Sequence, residues 1–366
     1  MNSITPTFML PDLEGMFSVL PGGTNPHYEA TRQEARHWIA HYNRLTFGPM
    51  MTGFLENCDF ELLSCYAYPQ LDKEGLRATM DWVGSSTSLA MGTANVSQVN
   101  ILWYVDEVTD TETGKDAGRT ADVVCRTLQE PDYDDGTTLC RLIADFRNNH
   151  LARAGPEATR RFLKHCKQTF FTFSKEAELR ERSEVLSIRD YLTLRKETSA
   201  VRTAFDLSEC LMGVDLPEVV YNMDSFRKGY EASMDLIYLA NDLYSYDMEQ
   251  AKGHSGANVI TVVMKAKKIG LQEASDYIGT LCKDLLSDFQ GSQREMEALV
   301  CKAKKGEAGI FRDAVRVLET YGHLVRGNVE WCFETERYFG KENKNIRKSL
   351  LVTLLPENSV SRPLDE

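Results

Sequence analysis

"MDLIYLANDLYSYDMEQ", Met234–Gln250, opens with seven almost wholly apolar residues and then sets Asn241, Ser245 and Glu249 at a strict spacing of four. The stretch reads as the inside of a helix. An α-helix turns about 100° per residue, so steps of four drift only about 40° and stack three oxygen-bearing side chains on one stripe. An amide oxygen, a hydroxyl and a carboxylate are hard ligands of the kind Mg²⁺ takes, usually alongside waters and phosphate oxygens from a substrate. A solvated helix face with a local Ser bond would carry the same letters. The motif therefore needs a partner elsewhere in the chain.

That partner is "NILWYVDEVTD", Asn100–Asp110, an apolar helical segment ending in Asp106, Glu107 and Asp110. Carboxylates gathered at a helix C-terminus face the negative end of the helix dipole, a conflict that a bound cation would offset. One D-E-x-x-D and one N-D-x-x-S-x-x-x-E, about 135 residues apart on two helices, make a two-sided metal site. A third element is the basic pair Arg195 and Lys196 in "YLTLRKETSAV", with Arg195 46 residues before Asn241. A guanidinium offers phosphate oxygens a planar fork of donors. A fourth is "WCFETERYF", in which Arg337 and Tyr338 follow Trp331.

Composition bounds the remainder. A chain of 366 residues holds one large domain or two ordinary ones, so pattern must decide. The formal charge of −12, from 42 Lys+Arg against 54 Asp+Glu, argues against nucleic acid or an anionic membrane surface as main partner, and requires an anionic substrate to be neutralised locally. Nine cysteines, odd in number and without a C-x-x-C, predict reduced thiols rather than a disulfide framework or zinc site. The N-terminus lacks a basic region followed by an apolar run, and nowhere do eighteen apolar residues stand together. These features predict a cytosolic protein without a membrane span.

Helical periodicity marks about residues 28 to 44, 94 to 109, 117 to 129, 156 to 182, 225 to 250, 271 to 290 and 307 to 338, while strand alternation is almost absent. "VITVVM" is β-prone by composition, yet it sits between helical segments and is assigned to a helix. With no repeat and no composition break before about residue 341, the expectation is one all-α domain over 1–340, followed by a C-terminal tail or active-site cap over 341–366.

In these residues the chain resembles a microbial class I terpene synthase of the fungal sesquiterpene cyclase type, over most of residues 80 to 340. The resemblance implies an α-helical bundle around a deep apolar cavity, three Mg²⁺ ions (Mn²⁺ being the substitute) and an isoprenoid diphosphate substrate. It assigns Asp106, Glu107 and Asp110 to metal, and Asn241, Ser245 and Glu249 to another metal position. It makes Arg195 the diphosphate sensor, with Arg337 and Tyr338 as hydrogen-bond donors to the diphosphate. Where many members carry Lys just before the triad's Glu, this chain has Met248, and Thr198 and Ser199 fall where sensor and helix break are linked, without an effector Gly. Ser199 is carried over as a position lining the substrate.

The chemistry agrees with the residue types. Mg²⁺, Arg and Tyr together stabilise charge building on a diphosphate leaving group. The carbocation left behind needs an apolar wall against water and aromatic faces to hold it. Trp103 and Tyr104, just before Asp106, and Trp331, before Arg337, are the candidates. The expected substrate is farnesyl diphosphate, with geranylgeranyl diphosphate as the alternative; a chain-elongating prenyltransferase or a non-catalytic binder of such diphosphates stands further off. Assembly is expected to be a monomer or homodimer. Two other motifs are set aside. "PDYDDG" carries Asp132, Asp134 and Asp135 in a turn composition, whereas alkene protonation needs a buried acid. "HWIAH" puts His37 and His41 at zinc spacing with no third ligand.

Overall fold

The computed structural model describes residues 6–43, 58–83, 112–182, 184–253, 255–304 and 307–356, together with Ile101, Leu102, Val105 and Thr109. From the N-terminus run the strand β1 (Thr7–Met9) and the helices α1 (Leu13–Phe17), α2 (Tyr28–Asn43), α3 (Phe60–Ala67) and α4 (Lys73–Val83). They are followed by α5 (Gly114–Gln129), α6 (Thr138–His150), α7 (Pro156–Glu181), α8 (Ile188–Thr198) and α9 (Val201–Leu211). The C-terminal half holds α10 (Glu218–Tyr221), α11 (Asp224–Ala251), α12 (Val259–Lys267), α13 (Leu271–Lys302), α14 (Ala308–Glu334), α15 (Asn343–Ser349) and the strand β2 (Leu351–Thr353).

Local chemistry starts these helices. The Thr113 hydroxyl accepts from the Asp116 amide at 3.2 Å ahead of α5, Thr137 from Cys140 at 3.1 Å ahead of α6, and Ser187 from Asp190 at 3.2 Å ahead of α8. Pro156 opens α7, where a missing N–H costs nothing. The Glu273 carboxylate reaches back to the Gly270 amide at 2.8 Å ahead of α13. Asn258 caps α12 by accepting from Ile260 at 2.9 Å, and the helix buries Val259, Ile260, Val262 and Val263. The β-prone "VITVVM" is thus helical, as its flanks required.

α11 is the central helix, packed against α13, α14, α12, α8 and α9. Most of its 28 residues are buried, as befits a helix enclosed on nearly every side. Gly327 lets α14 approach α3: a Cβ there would lie 2.7 Å from the Tyr66 carbonyl carbon. The long helices fall where periodicity predicts them, whereas α3, α4, α6, α8 and α9 lie outside the predicted stretches. These five are short, and α8, IRDYLTLRKET, spreads charge around most of its circumference, so no clean apolar stripe marks it.

The described residues beyond 340 pack back onto the helical body. Residues 341–353 form a 3₁₀ turn, α15 and β2, and β2 pairs antiparallel with β1 in the register Thr7↔Thr353, Phe8↔Val352, Met9↔Leu351. Phe8 and Val352 are buried on the inner side of this ribbon. Arg347 joins α15 to α1 through Glu14, its Nε 3.0 and 3.1 Å from the two carboxylate oxygens. Beyond β2, the Leu355 amide donates to Asp247 and its carbonyl accepts from Gln250, both at 2.7 Å, so the chain stays docked on α11 as far as residue 355. A pairing between residues some 340 positions apart leaves no mark in local composition. All nine cysteines are free thiols, eight of them buried. Among the described residues no helix is long and apolar enough to cross a membrane.

Candidate active site

A cavity of about 410 Å³ opens between α3, α7, α8, α9, α11 and α14, within the size range of small-molecule sites. Part of its lining is apolar: Leu63, Ala67, Phe173, Leu194, Val201, Ala204, Ile237 and Leu324. The remainder carries the chemistry, with Asn241, Ser245 and Glu249 from α11, Arg195 and Ser199 from the end of α8, and Arg337 beyond α14. Three calls from distant stretches of sequence thus meet at one cavity.

Asn241 is held at both ends of its amide. Its Oδ1 accepts from Arg195 Nη2 at 2.7 Å, and its Nδ2 donates to the Tyr338 hydroxyl at 2.7 Å. Arg195 Nε donates to Asp242 Oδ1 at 2.9 Å. Asp242 is almost wholly buried; its other oxygen accepts from the Tyr191 hydroxyl and from the Val259 amide at 3.1 Å. Burial opposes charge on the Arg195 guanidinium, but Asp242, joined by Tyr191, Glu176 and Glu249, outweighs it and holds the pKa well above the ordinary value. Burial first, and then Asp242, push the Tyr191 phenol well up, so it stays a donor. Ser245 is buried, with its hydroxyl 3.5 Å from the Asp242 carbonyl.

Glu249 accepts from Asn258 Nδ2 at 3.0 Å, and the same amide donates to the Asp242 carbonyl at 2.7 Å. Burial first, and then Asp242, push the Glu249 carboxyl up to about 7. Among the described residues no Lys or Arg forms an ion pair with it. A half-buried carboxylate with no ion pair among the described residues, one turn beyond a buried hydroxyl and two beyond an oriented amide, is a donor set that fits a small hard divalent cation. Asp106, Glu107 and Asp110, the other half of the expected metal site, lie outside the described residues, as do Trp103 and Tyr104. Near them, the Thr109 carbonyl accepts from Arg180 Nη2 at 3.1 Å, and Arg180 lines the cavity.

Trp331 departs from its expected place. Its ring is fully buried, its Nε1 donates to the Cys58 and Asp59 carbonyls at 2.8 and 2.9 Å, and it packs on Phe60 and Tyr338. It belongs to the core behind the cavity, because α14 turns that face toward α3. Arg337 does line the cavity, with its guanidinium 5.3 Å from the Phe60 ring centre and 5.4 Å from that of Tyr338. Tyr338 is buried and engages the site through Asn241. Ser199 ends α8 and faces the cavity, its hydroxyl donating to the Lys196 carbonyl at 3.4 Å.

The sequence reading missed Asp242 and Asn258, which orient the site from behind, Tyr191, which does so while lining the cavity, and Tyr68, Phe173 and Tyr238, the other aromatics of the described wall. Two signals were available: a charged Asp242 embedded in an apolar run, and Tyr191 and Tyr238 one helical turn ahead of Arg195 and Asn241. The described residues of the two motifs set aside are not part of the cavity lining. Asp134 and Asp135 are exposed, accepting from the amides of Gly136 and Thr137 at 2.8 and 2.9 Å. His37 is exposed, and the His41 side chain is outside the described residues.

Comparison with known proteins agrees with this architecture. Residues 98–288 match the family described as "Terpene synthase family 2, C-terminal metal binding". The chain is 56% identical over 365 residues to viridiflorene synthase Agr2 of Cyclocybe aegerita, covering 99% of this chain and 90% of that one. It is 42% identical over 356 residues to a sesquiterpene synthase of Piloderma croceum, covering 97% of each. In fold it is similar to the crystal structure of germacradien-4-ol synthase from Streptomyces citricolor, with a TM-score of 0.70 at 17% identity over 85% of this chain and 97% of that one. The chain belongs to the fungal-type class I terpene synthases, in the sesquiterpene cyclase family. It is an enzyme of terpene formation, with the metal-binding domain of that family.

Proposed function

We propose that this chain is an Mg²⁺-dependent sesquiterpene cyclase that ionises farnesyl diphosphate and closes the resulting cation into a ring, a carbon–oxygen lyase reaction on a phosphate ester. The observation that carries the reading is the alignment of Asn241, Ser245 and Glu249 on one cavity-facing stripe, with Arg195 bonded to the first of them. Mg²⁺, three ions by the family's pattern and replaceable by Mn²⁺, supplies positive charge opposite the departing diphosphate.

The chain's own residues do the rest. Asn241, Ser245 and Glu249 would offer oxygens to the metal, and Asp106, Glu107 and Asp110 are proposed for the same role. Asn258 keeps the Glu249 carboxylate turned to its task. Arg195 presents a planar fork, and Arg337 and Tyr338 add donors, so charge on the leaving oxygens meets fixed dipoles rather than reorganising water. The C–O bond breaks with its electron pair leaving on the diphosphate. The allylic cation then lies against the apolar wall, where the faces of Tyr68, Phe173 and Tyr238 attract positive charge. The final proton leaves to the diphosphate, so no histidine is required. Ser199, Trp103 and Tyr104 complete the proposed substrate contacts.

The test is product analysis by gas chromatography and mass spectrometry, with geranyl, farnesyl and geranylgeranyl diphosphates offered separately, with Mg²⁺ and with EDTA. A cyclic C15 product lost on chelation is expected. Cyclic product from the C20 substrate alone would move the enzyme to diterpenes. A folded protein giving no product from any of the three would sink the cyclase reading.

A further inference from the structure

Lys252 caps the C-terminal end of α11, with φ −84° and ψ −6°, and its amide still bonds to the Met248 carbonyl at 3.0 Å. It therefore keeps helical direction. A helical Cα–Cβ bond tilts toward the helix N-terminus, so a side chain covers the turn before its own Cα. The turn before Lys252 holds Met248 and Glu249, and all three residues line the cavity. Lys252 is four positions past Met248 and seven past Ser245, steps that return it to the stripe of the metal triad within about 60°.

Among the described residues lining the cavity, Lys252 is the cation carried by the triad helix itself. Arg195 comes from α8 with its fork on Asp242 and Asn241, and Arg337 comes from beyond α14. The triad face carries acidic Glu249, with the neutral thioether of Met248 between Ser245 and Glu249 in sequence. A polyanion seated there meets no positive side chain of α11 before this one.

We propose that Lys252 binds the diphosphate of the substrate, reaching back over Met248 to place its ammonium beside the anion at the triad end of the cavity. The proposal rests on the cyclase reading above and adds a residue to it. The competing role for a lysine at this position is a structural one at the helix C-terminus, where a cation is favourable, and the two roles separate by experiment. Inorganic diphosphate binding is measured by titration calorimetry in the presence of Mg²⁺, alongside thermal midpoint and steady-state kinetics with farnesyl diphosphate. The proteins compared are wild type, Lys252→Gln and the double variant Lys252→Gln/Met248→Lys.

Loss of the ammonium is expected to weaken diphosphate binding about tenfold or more and to raise KM. Moving the charge one turn back along the same face is expected to restore most of that affinity, which a role at the helix end would not produce. Lys252→Gln binding diphosphate as wild type does, with only its thermal midpoint lowered, would overturn the proposal while leaving the cyclase reading in place. A double variant as weak as Lys252→Gln would also overturn it. Wild-type protein that neither binds diphosphate with Mg²⁺ nor turns over any prenyl diphosphate would remove the cyclase reading, and this proposal with it.

Discussion

Asn241 shows how much of the site depends on single atoms, since its oxygen faces Arg195 while its nitrogen is fixed by Tyr338. Tyr338 thereby settles which end of the amide faces the cavity. Asn241→Ala and Glu249→Ala are each expected to lower turnover by more than about 100-fold with unchanged circular dichroism. Retained activity in either would take that residue out of the metal site. The loss in Glu249→Ala is one of chemistry rather than fold, because the side chain removed is a half-buried, cavity-facing carboxylate with no ion pair among the described residues. Arg195→Lys keeps the charge and loses the fork: one ammonium cannot reproduce the two aligned bonds to Asp242 and Asn241 and still reach a substrate. Its kcat/KM is expected to fall by about 100-fold, and a wild-type value would sink the sensor role.

At the scale of elements, the junction between α8 and α9 brings Arg195 and Ala204 to the same cavity. α8 ends at Thr198, α9 starts at Val201, and between them Ala200 adopts φ 57°, ψ 4°. For an L-residue with a Cβ the left-handed region costs about 1 kcal/mol, yet the break is made here without glycine. Ala200→Gly is expected to raise stability by up to about 1 kcal/mol, read from chemical denaturation. A loss instead would mean that packing of the largely buried Ala200 methyl outweighs the backbone strain. The break also explains why α8 escapes detection in the sequence: two eleven-residue helices meeting at an angle never build a long apolar stripe. Asn258 belongs to this scale too, since one side chain caps α12 and holds both the Asp242 carbonyl and the Glu249 carboxylate.

Over the whole molecule, buried charge gives stability a pH dependence. Glu61 on α3 is fully buried beside Arg36, with Nε 2.7 Å from its Oε1. Burial pushes its carboxyl up from 4.5 to about 8, Arg36 offsetting only part of the cost. The folded protein keeps this proton while the unfolded chain releases it above about pH 4.5. The group's contribution is therefore fully present below that pH and is lost as pH rises toward 8, by up to about 1.4 kcal/mol per unit. Denaturation midpoints of wild type are expected to fall across this window more steeply than those of Glu61→Gln. Parallel slopes would show that Glu61 is ionised in the native state throughout.

Some of this protein is fixed by the sequence alone and some is not, for a physical reason. The helical class, the long helices and the stripe of Asn241, Ser245 and Glu249 follow from 3.6-residue periodicity, which is local and survives in a string of letters. Arg195 and Arg337 were legible through the family resemblance, which implies an arginine at each of these places. Tertiary structure alone decided which aromatics form the wall. Trp331 went to the core, and Tyr68, Phe173 and Tyr238 came to the cavity, because that choice depends on how α14 turns against α3 rather than on any neighbour in sequence. It also decided that the last residues pair with the first as β1 and β2, and that Asp242, Tyr191 and Asn258 close behind the triad as its support. Contacts of that kind join residues through space, and periodicity along the chain carries no record of them.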